Sequence, residues 1–282
     1  MKKRAFILAA ACASVVAIGA QSAGAAPGNV TCTDAFSGTA ANVTVPAENF
    51  CDLSGATVTN DVLIGREAGI FAEGLRVGHD VRLPQAGSLE LGGTTIGNNV
   101  IAGSGGDIHL ERTTIGVDLV AVEPGTVQMG GNAPDSPGGP VRIGYDLLIR
   151  GWPGFDFVFD GICNAHVGHD FRITGRSVTL GFGIGDNCQF LGEPANTVGH
   201  DLVVAGNTAL VGFFGPSALE VGGNHIGHDL KFVGNRAPGG GYLEVSDNVV
   251  GHDAICAGNS PALSTDGPWD GPNTAGNLNT CG

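Results

Sequence analysis

The segment VGHDLVV, residues 198–204, decides the fold because close copies of it recur along the chain. The copies are VGHDVRL from residue 77, VGHDFRI from 167, IGHDLKF from 226 and VGHDAIC from 250. In each copy an aliphatic residue precedes the triplet Gly-His-Asp, and a short apolar run follows it. A triplet that recurs in this way is either the corner of a repeating coil or a set of ligands for a metal or a catalyst.

A looser form of the segment extends the repeat over most of the chain: Val or Ile, then Gly (Thr59 in the first copy), any residue, Asp or Asn, and an apolar residue. Aligned on this form, the opening aliphatic residues are Val58, Val77, Ile96, Ile115, Ile143, Val167, Val198, Ile226 and Val250. Counted along the chain, the first three intervals are 19, 19 and 19, and the later ones are 28, 24, 31, 28 and 24. Continuing the intervals outward predicts weaker copies that begin at Thr39 and Thr274.

A regular period of this length with several short strands in each repeat is typical of a parallel β-solenoid, in which each coil buries its apolar side chains only against its neighbours. Glycine accounts for 49 of the 282 residues without a Gly-X-Y period, which excludes collagen and favours a fold rich in turns. We therefore predict an all-β, single-domain parallel β-helix of about ten coils, with intervals between 19 and 31. Parallel crossovers favour a right-handed helix.

The alternation within a copy assigns residues to the two sides of the coil wall. In residues 201–204, Leu202 and Val204 are expected to face the lumen and the residue between them the solvent. The solvent position carries a charge in three other copies: Arg82, Arg172 and Lys231. The glycine of each triplet predicts a corner with an unusual backbone angle.

Polar residues recur at fixed places around these corners. An Asp or Asn follows each triplet's variable position and predicts a side chain that binds corner amides. These residues are Asp61, Asp80, Asn99, Asp118, Asp146, Asp170, Asp201, Asp229 and Asp253. Two further columns predict asparagine ladders: Asn196, Asn224 and Asn248, and then Asn207, Asn235 and Asn259.

Six cysteines follow the N-terminal segment, and their spacing matches the coil length. The sequence separations are 19 between Cys32 and Cys51, 25 between Cys163 and Cys188, and 25 between Cys256 and Cys281. Residues one coil apart lie about 4.8 Å apart, within the roughly 4.4–6.8 Å Cα separation of a disulfide. We therefore predict these three pairs among the fifteen connectivities that six cysteines allow. Two of them would close the ends, where open coils expose strand edges.

Residues 1–25 predict a secretory signal peptide: MKKR, an Ala-rich apolar run, then Ala23-Gly24-Ala25. A lipoprotein that uses Cys12 is disfavoured because the apolar run before it is short. We divide the chain into the signal peptide 1–25, an N-terminal cap and first coil 26–57, β-helix coils 58–256 and a C-terminal cap 257–282. The expected location is extracellular or at the cell surface, where disulfides persist.

Charge limits the classes of partner. Without residues 1–25 the chain keeps ten Lys and Arg against 27 Asp and Glu, a formal charge of −17 with His neutral. So acidic a surface argues against nucleic acid and anionic membranes as partners. No other segment approaches the roughly 18 apolar residues of a membrane span.

The histidines are the candidate ligands. Four consecutive coils place one at the same corner: His169, His200, His228 and His252. Imidazole is a common ligand of zinc, copper and nickel, and an Asp lies beside each histidine. Against a closed zinc site, adjacent strand residues point to different faces, and Val117 and Tyr145 take the same position in other coils. We expect a ladder of partly exposed imidazoles, with a divalent-metal site as the alternative and no other cofactor.

The segment from residue 151 to 160 offers a second type of site. Trp152 is a platform for a sugar ring, and Asp156 and Asp160 are carboxylates of the kind that glycosidases use. The alternating Phe155, Phe157 and Phe159 favour a lumen stack instead. Glycan contact at Trp152, Asp156 and Asp160 is therefore a hypothesis that competes with core packing.

Motifs at both ends carry a resemblance. They are TC at 31–32, NVTVP at 42–46 and CDLSGA at 51–56 near the start, and AICAGNSP at 254–261 with Cys281 near the end. Together with the Gly-x-Asp coils they resemble a group of uncharacterised secreted actinobacterial repeat proteins. The resemblance implies a parallel β-helix and export, and it implies no activity. The coil period also resembles that of bactofilins, the polymer-forming β-helices, although those are cytosolic and lack end disulfides.

The expected function is that of a secreted, non-catalytic structural or binding protein of the cell envelope or extracellular matrix. Cell-wall glycan or other envelope components are the expected partners, and self-association is a further one. Two alternatives stay open: a β-helical polysaccharide lyase or hydrolase acting near Trp152, and a metal-binding module that uses the four histidines.

Overall fold

The structure is a computed structural model that describes residues 27–130, 138–151, 159–179, 181–185, 188, 195–212, 215–264 and 271–282. These residues form an all-β parallel β-helix, as the repeat predicts. They contain 33 strands and no α-helix. A coil consists of a short strand, the corner with the Gly-x-Asp pattern, a second strand, a second corner and a third strand.

The short strands form an 11-stranded sheet, which we call the short-strand face. Its members are β2 (Thr39–Ala40), β5 (Thr57–Val58), β8 (Arg76–Val77), β10 (Thr95–Ile96), β12 (Thr114–Ile115), β15 (Val141–Ile143), β18 (Ala165–Val167), β22 (Thr197–Val198), β28 (His225–Ile226), β31 (Val249–Val250) and β33 (Thr274–Ala275). Neighbouring members all pair in parallel. Residues of both predicted caps therefore add strands to the same sheet.

The other two faces join into one 18-stranded sheet. Strands that follow the Gly-x-Asp corner are β1 (Val30–Thr31), β3 (Val43–Val45), β6 (Val62–Ile64), β13 (Leu119–Val122), β16 (Leu147–Arg150), β19 (Phe171–Thr174), β23 (Leu202–Ala205), β29 (Leu230–Val233) and β32 (Ala254–Ala257). Strands of the third face are β4 (Phe50–Asp52), β7 (Gly69–Glu73), β14 (Val127–Met129), β17 (Phe159–Ile162), β21 (Gly181–Ile184), β27 (Ala218–Gly222) and β30 (Tyr242–Ser246). Two long strands, β9 (Val81–Gly92) and β11 (Val100–Glu111), run along both faces. Two small pairs complete the set: β20 (Ser177–Val178) with β24 (Thr208–Ala209), and β25 (Val211–Gly212) with β26 (Gly215–Pro216).

The sheet register follows the sequence repeat. All nine opening aliphatic residues, from Val58 to Val250, pair with one another in consecutive coils. The outermost copies are displaced by one position from the predicted ones: Val58 pairs with Ala40, and Val250 pairs with Ala275. The corner after Ala40 is shorter than the later corners by a single residue, which accounts for the displacement at the N-terminal end.

Aliphatic side chains fill the lumen. Leu202 and Val204 are fully buried, as the alternation predicts, and Arg82 and Arg172 lie exposed at the solvent position between such residues. Each buried Val, Leu or Ile contributes about 1.5–3 kcal/mol relative to the exposed side chain. Because every coil packs only on its neighbours, the core is one continuous column along the helix.

The corner glycines are required by lack of space, and the predicted unusual backbone angle is wrong. A Cβ at Gly116 would lie 2.0 Å from the carbonyl oxygen of Gly97 in the preceding coil, and one at Gly199 would lie 2.1 Å from that of Gly168. The structure describes every glycine of the Gly-x-Asp corners, and none of them has a positive φ. Left-handed residues lie at the other two corners, for example Gly175 with φ of 65°.

Two columns of buried asparagine run through the C-terminal half. The first column is Asn196, Asn224, Asn248 and Asn273, one member longer than predicted, and the second is Asn207, Asn235 and Asn259. In both columns Nδ2 donates to Oδ1 of the asparagine in the next coil, at 2.9–3.3 Å. Nδ2 also donates to a main-chain carbonyl, such as that of Ile184 for Asn224. The ladders thus satisfy polar backbone inside the wall.

Arg176 takes the place of asparagine one coil before the second column, and it is fully buried. Its guanidinium donates to the carbonyl oxygens of Pro124 at 2.7 Å, Gly125 at 2.9 Å and Gly151 at 3.2 Å. These carbonyls belong to the two preceding coils, so a single side chain joins three layers. No periodic signal marks this residue in the sequence, which is why the sequence analysis did not single it out.

Three disulfides join Cys32 to Cys51, Cys163 to Cys188 and Cys256 to Cys281, the pairs that the coil spacing predicts. The Cα separations are 5.8, 5.4 and 4.9 Å, respectively.

The stacking argument explains the last of these disulfides but not the first. The last two cysteines stand in register because Ala254 pairs with Asn279 two positions before them. Cys32 instead donates its N–H to the carbonyl oxygen of Thr44 in β3, whereas Cys51 pairs with Ile70 on the third face. The first disulfide therefore joins two faces of the helix at its N-terminal end.

Replacing Asn224 by Ala is expected to lower the free energy of unfolding by about 1–3 kcal/mol, because the Ile184 carbonyl loses its donor and Asn196 Nδ2 loses an acceptor. Asn224→Asp keeps the shape but replaces the donor by an acceptor, and it should cost at least as much. Urea denaturation followed by circular dichroism measures both effects. Thr95→Ala, on the exposed short-strand face, is the control. An equal loss in the control would contradict the role of the ladder.

Candidate functional site

One column of side-chain oxygens joins consecutive coils at the Gly-x-Asp corner, and we call it the aspartate ladder. Its members are Asn42, Asp61, Asp80, Asn99, Asp118, Asp146, Asp170, Asp201, Asp229 and Asp253. At each step Oδ1 accepts the main-chain N–H of the corresponding residue in the next coil, at 3.0–3.2 Å. The predicted binding to corner amides is confirmed, and the amides belong to the following coil. The ladder ends at the N–H of Leu278.

The four candidate histidines stack beside this ladder: His169, His200, His228 and His252. Adjacent ring centroids are 4.7–5.0 Å apart, and the ring planes lie within 10° of one another. Tyr145 continues the stack at one end, with its ring centroid 4.5 Å from that of His169. The predicted stacking of imidazole upon imidazole is confirmed.

Each imidazole is oriented by the aspartate of the preceding coil. The Nδ1–Oδ1 distances are 3.0–3.1 Å, and for His200 the partner is Asp170. An oxygen of the aspartate in the same coil, Asp201 for His200, lies 3.3–3.6 Å from Nδ1 across the four coils. An ionised carboxylate only accepts hydrogen bonds, so a neutral imidazole here donates from Nδ1 and carries its lone pair on Nε2. The expectation that adjacent His and Asp point apart is wrong, because they stand at a corner and not within a strand.

The outer edge of the stack is open to solvent. The four histidine side chains are 37–48% exposed. Within the part of the chain that the structure describes, no residue forms a hydrogen bond to any of their Nε2 atoms. The stack therefore presents four imidazole Nε2 atoms in a line, each on a ring whose other nitrogen is held.

The second oxygens of the ladder carboxylates bind cations from the solvent-facing column of the neighbouring strands. Oδ2 of Asp170 accepts from Arg172 Nη2 at 2.5 Å. Lys231 Nζ lies 3.0 Å from Oδ2 of Asp201 and 2.9 Å from Oδ2 of Asp229, so it bridges two coils. Both oxygens of these three carboxylates are therefore already engaged.

These contacts lower the pKa of the ladder carboxyls. Burial raises the pKa of Asp170, but the hydrogen bonds from Arg172, His200 and the amide of Asp201 outweigh burial and bring the pKa to about 2. Burial is outweighed in the same way at Asp201 and Asp229, where Lys231 is the main cause of a lowered pKa. Asp170, Asp201 and Asp229 therefore stay ionised at neutral and mildly acidic pH.

Three sets of side chains bring potential metal ligands within 4.8 Å of one another: His169 with Asp170 and His200, His200 with Asp201 and His228, and His228 with Asp229 and His252. In each set Nδ1 and the carboxylate oxygens are bound to each other or to a cation, so a metal between them would have to displace those bonds. The ring nitrogen of each histidine that is left to bind a metal is Nε2, on the solvent side. The corner is thus built without a closed tetrahedral site of the zinc type.

Asparagine performs the orienting role of histidine in the last coil. Asn277 occupies the histidine position there, and its Nδ2 donates to Asp253 Oδ1 at 2.8 Å. The last copy counted from Thr274 places Asn277 at the aspartate position of the pattern; the observed pairing of Ala275 with Val250 moves Asn277 to the histidine position. The column also holds Asn60, His79 and Asn98 in the first coils.

The structure describes only one of the three residues proposed to contact glycan. Trp152 and Asp156 lie outside the described residues. Asp160 lies in β17, where its main chain pairs with Val127 and Phe182. Glycan contact at these residues stays a prediction.

No protein-family model, curated protein or solved structure matches this chain. The described residues include no helix long and apolar enough to cross a membrane.

Replacing Asp170 by Ala is expected to lower the free energy of unfolding by about 1–3 kcal/mol, because the N–H of Asp201 and Nδ1 of His200 lose their acceptor. Asp170→Asn keeps Oδ1 and should cost less, since Asn99 is a native member of the ladder. Urea denaturation of the two variants compares them directly. A loss as large in the Asn variant as in the Ala variant would contradict the importance of Oδ1.

The stability of the protein is expected to fall in acid as Asp170, Asp201 and Asp229 are protonated. The folded-state pKa of Asp170 is about 2 against an ordinary 3.8, so its ionised form stabilises the folded state fully above about pH 4, and this contribution is lost as the pH falls towards 2. Asp170→Asn removes one such carboxyl, and its urea midpoint should fall less than that of the wild type between pH 5 and pH 2. Identical pH profiles would contradict the assignment.

Proposed function

We propose that the protein is an exported, non-catalytic structural or binding β-helix of the cell envelope or extracellular matrix. The observation that carries the proposal is the unbroken aspartate ladder from Asn42 to Leu278. Its carboxylates are the most regular acidic groups of the chain, and each one holds the next coil. Carboxylates that hold neighbouring coils together are better suited to making a rod rigid than to transferring protons.

The ladder carboxylates are poorly suited to general acid–base work. A catalytic acid near neutral pH needs a raised pKa, whereas the pKa values of Asp170, Asp201 and Asp229 are lowered. Both oxygens of each of these carboxylates are also engaged, which leaves no free oxygen for a substrate. These two facts favour a structural role for the corner over the lyase or hydrolase alternative.

Three disulfides and the N-terminal segment support a location outside the cytoplasm. Disulfides persist in oxidising compartments and are rare in reduced ones. The basic start and apolar run of residues 1–25 are typical of a secretory signal peptide. Export also fits a formal charge of −14 for the whole chain, which favours solubility.

The partners in this proposal are cell-wall glycan, other envelope components or further copies of the same chain. A parallel β-helix offers long, flat and repetitive faces, and extended concave or flat surfaces are what solenoid proteins use for binding. The short-strand face carries an outward column of mostly polar residues along all eleven strands. It is the face that we assign to envelope contact.

Export is tested by expressing the full chain and a version that lacks residues 2–25 in an actinobacterial host. We expect the full chain in the culture medium or wall fraction with no thiol that reacts with an alkylating reagent after denaturation. The shortened chain should stay in the cytoplasm with reactive thiols. Recovery of the full chain from the cytoplasm in reduced form would contradict the proposal.

Binding and catalysis are separated by a second measurement on the exported protein. It is incubated with isolated cell walls, and both the retained protein and the released sugar are measured. We expect retention on the walls without release of reducing sugar or unsaturated products. Release that depends on Asp156 or Asp160 would favour the polysaccharide lyase or hydrolase instead.

A further inference from the structure

We propose that adjacent imidazoles of the histidine stack chelate divalent transition-metal ions, Cu²⁺ above all, through their outward Nε2 atoms. Each ion would be held by two histidines from consecutive coils, with water in its remaining positions. The stack offers two independent pairs, His169 with His200 and His228 with His252. This inference goes beyond the structural role proposed above and is independent of it.

The donor set fits such an ion. The lone pair of each ring lies on Nε2 because Nδ1 donates to a ladder aspartate. Histidines that bind metals usually donate their other ring N–H to a carboxylate or carbonyl, and this contact fixes the ring and raises its basicity. Four consecutive coils supply this arrangement without a bound metal, so the orientation is preformed.

The spacing allows two rings to share an ion when both rings tilt toward each other. The rings are nearly parallel with centroids 4.7–5.0 Å apart, so adjacent Nε2 atoms have a similar separation. Two imidazoles in neighbouring positions of a tetragonal Cu²⁺ ion, at about 2.0 Å from it, place their nitrogens about 2.8 Å apart, so each outer ring edge has to lean inward by about 1 Å. Because the Nε2 lone pair lies in the plane of the ring, the two rings also have to tilt out of their parallel arrangement so that both lone pairs point at the ion. The exposed outer edges leave room for this movement, and Nδ1 stays on its aspartate as the hinge.

The chemistry of the stack selects the metal. Imidazole nitrogen suits copper, nickel and zinc, and affinity for a given nitrogen site rises to a maximum at Cu²⁺. Calcium requires several oxygen ligands, and the oxygens nearest the stack are occupied by amides, Arg172 and Lys231. The ladder carboxylates still contribute at a distance, because their negative charge favours a cation in front of the rings.

Two double variants test the pairing because they remove the same number of histidines and differ only in adjacency. His200→Asn with His228→Asn leaves His169 and His252 three coils apart, so no adjacent pair remains. His169→Asn with His252→Asn leaves the adjacent pair of His200 and His228. Asparagine is native in this column at Asn277, where Nδ2 keeps the bond to the ladder, so both variants are expected to fold.

Calorimetric titration of the oxidised full chain with CuCl₂ is the measurement, with ZnCl₂ and CaCl₂ as comparisons. We expect the wild type to bind up to two Cu²⁺ ions, the variant with an adjacent pair to bind one with similar affinity, and the variant without a pair to bind at least tenfold more weakly. Zn²⁺ should bind more weakly than Cu²⁺, and Ca²⁺ should give no heat that depends on these histidines. Circular dichroism checks the fold of each variant.

Equal losses in the two double variants would overturn the proposal, because they would show single-histidine binding. Wild-type binding no stronger than that of a variant with all four histidines changed to Asn would overturn it as well. Electron paramagnetic resonance of the wild-type Cu²⁺ complex gives a reading that needs no variant. Coupling to two imidazole nitrogens is expected, and coupling to one contradicts chelation.

Discussion

The hydrogen bond from a main-chain N–H to Oδ1 of the preceding coil is the constraint on which the rest of the structure depends. A solenoid grows by adding coils of different length, here from the short coil between Ala40 and Val58 to the long one between Val167 and Val198, and each must return to the same register. The aspartate ladder fixes that register at one corner, with distances of 3.0–3.2 Å along the whole described stack. Insertions are then accommodated elsewhere in the coil without moving the corner.

The asparagine ladders also hold consecutive coils in register, but their main-chain hydrogen bonds run in the opposite direction along the helix. In the aspartate ladder the N–H of each coil reaches back to the coil before, whereas N–H of Asn224 reaches forward to Oδ1 of Asn248. An amide can both donate and accept, so it also satisfies a carbonyl inside the wall, which a carboxylate cannot do. This difference explains why the inner members of the asparagine columns are fully buried, whereas every aspartate of the other column keeps some contact with solvent; the fully buried residues are Asn196, Asn207, Asn224, Asn235 and Asn248.

The sequence reveals the fold because a strict repeat leaves one architecture that can bury its apolar residues. It also identifies the ladder and the stack, since their residues recur at one place in every coil. The sequence does not predict features that depend on the space beside a corner or on the direction in which the corner turns. The glycines at the corners are needed for space because the carbonyl of the preceding coil lies where a Cβ would stand, as at Gly116. The contact between His200 and Asp170 depends on the direction of a corner that spacing does not specify. Arg176 stands in a column whose later members are asparagine, so no repeated residue type marks it.

Electrostatics explain where the histidines occur. Carboxylates stacked one per coil repel one another unless each gains a donor, and a neutral imidazole supplies an N–H without adding charge. The residues that stand one coil after Asp146, Asp170, Asp201, Asp229 and Asp253 are, in order, His169, His200, His228, His252 and Asn277, and each donates a hydrogen bond to that aspartate. After the neutral Asn99 the same position is Val117, which has no donor to give.

In these coils the histidine position therefore supplies a donor to the carboxylate of the preceding coil, and imidazole and carboxamide both meet this requirement. Only imidazole leaves a second nitrogen free when the first is engaged, because a phenol or a carboxamide has no lone pair placed opposite its donor on a rigid ring. A structural need for Nδ1–H thus produces a line of outward Nε2 atoms as its by-product. In four successive coils, the same histidines that hold the coils together also present the nitrogen ligands of a transition-metal site on the surface.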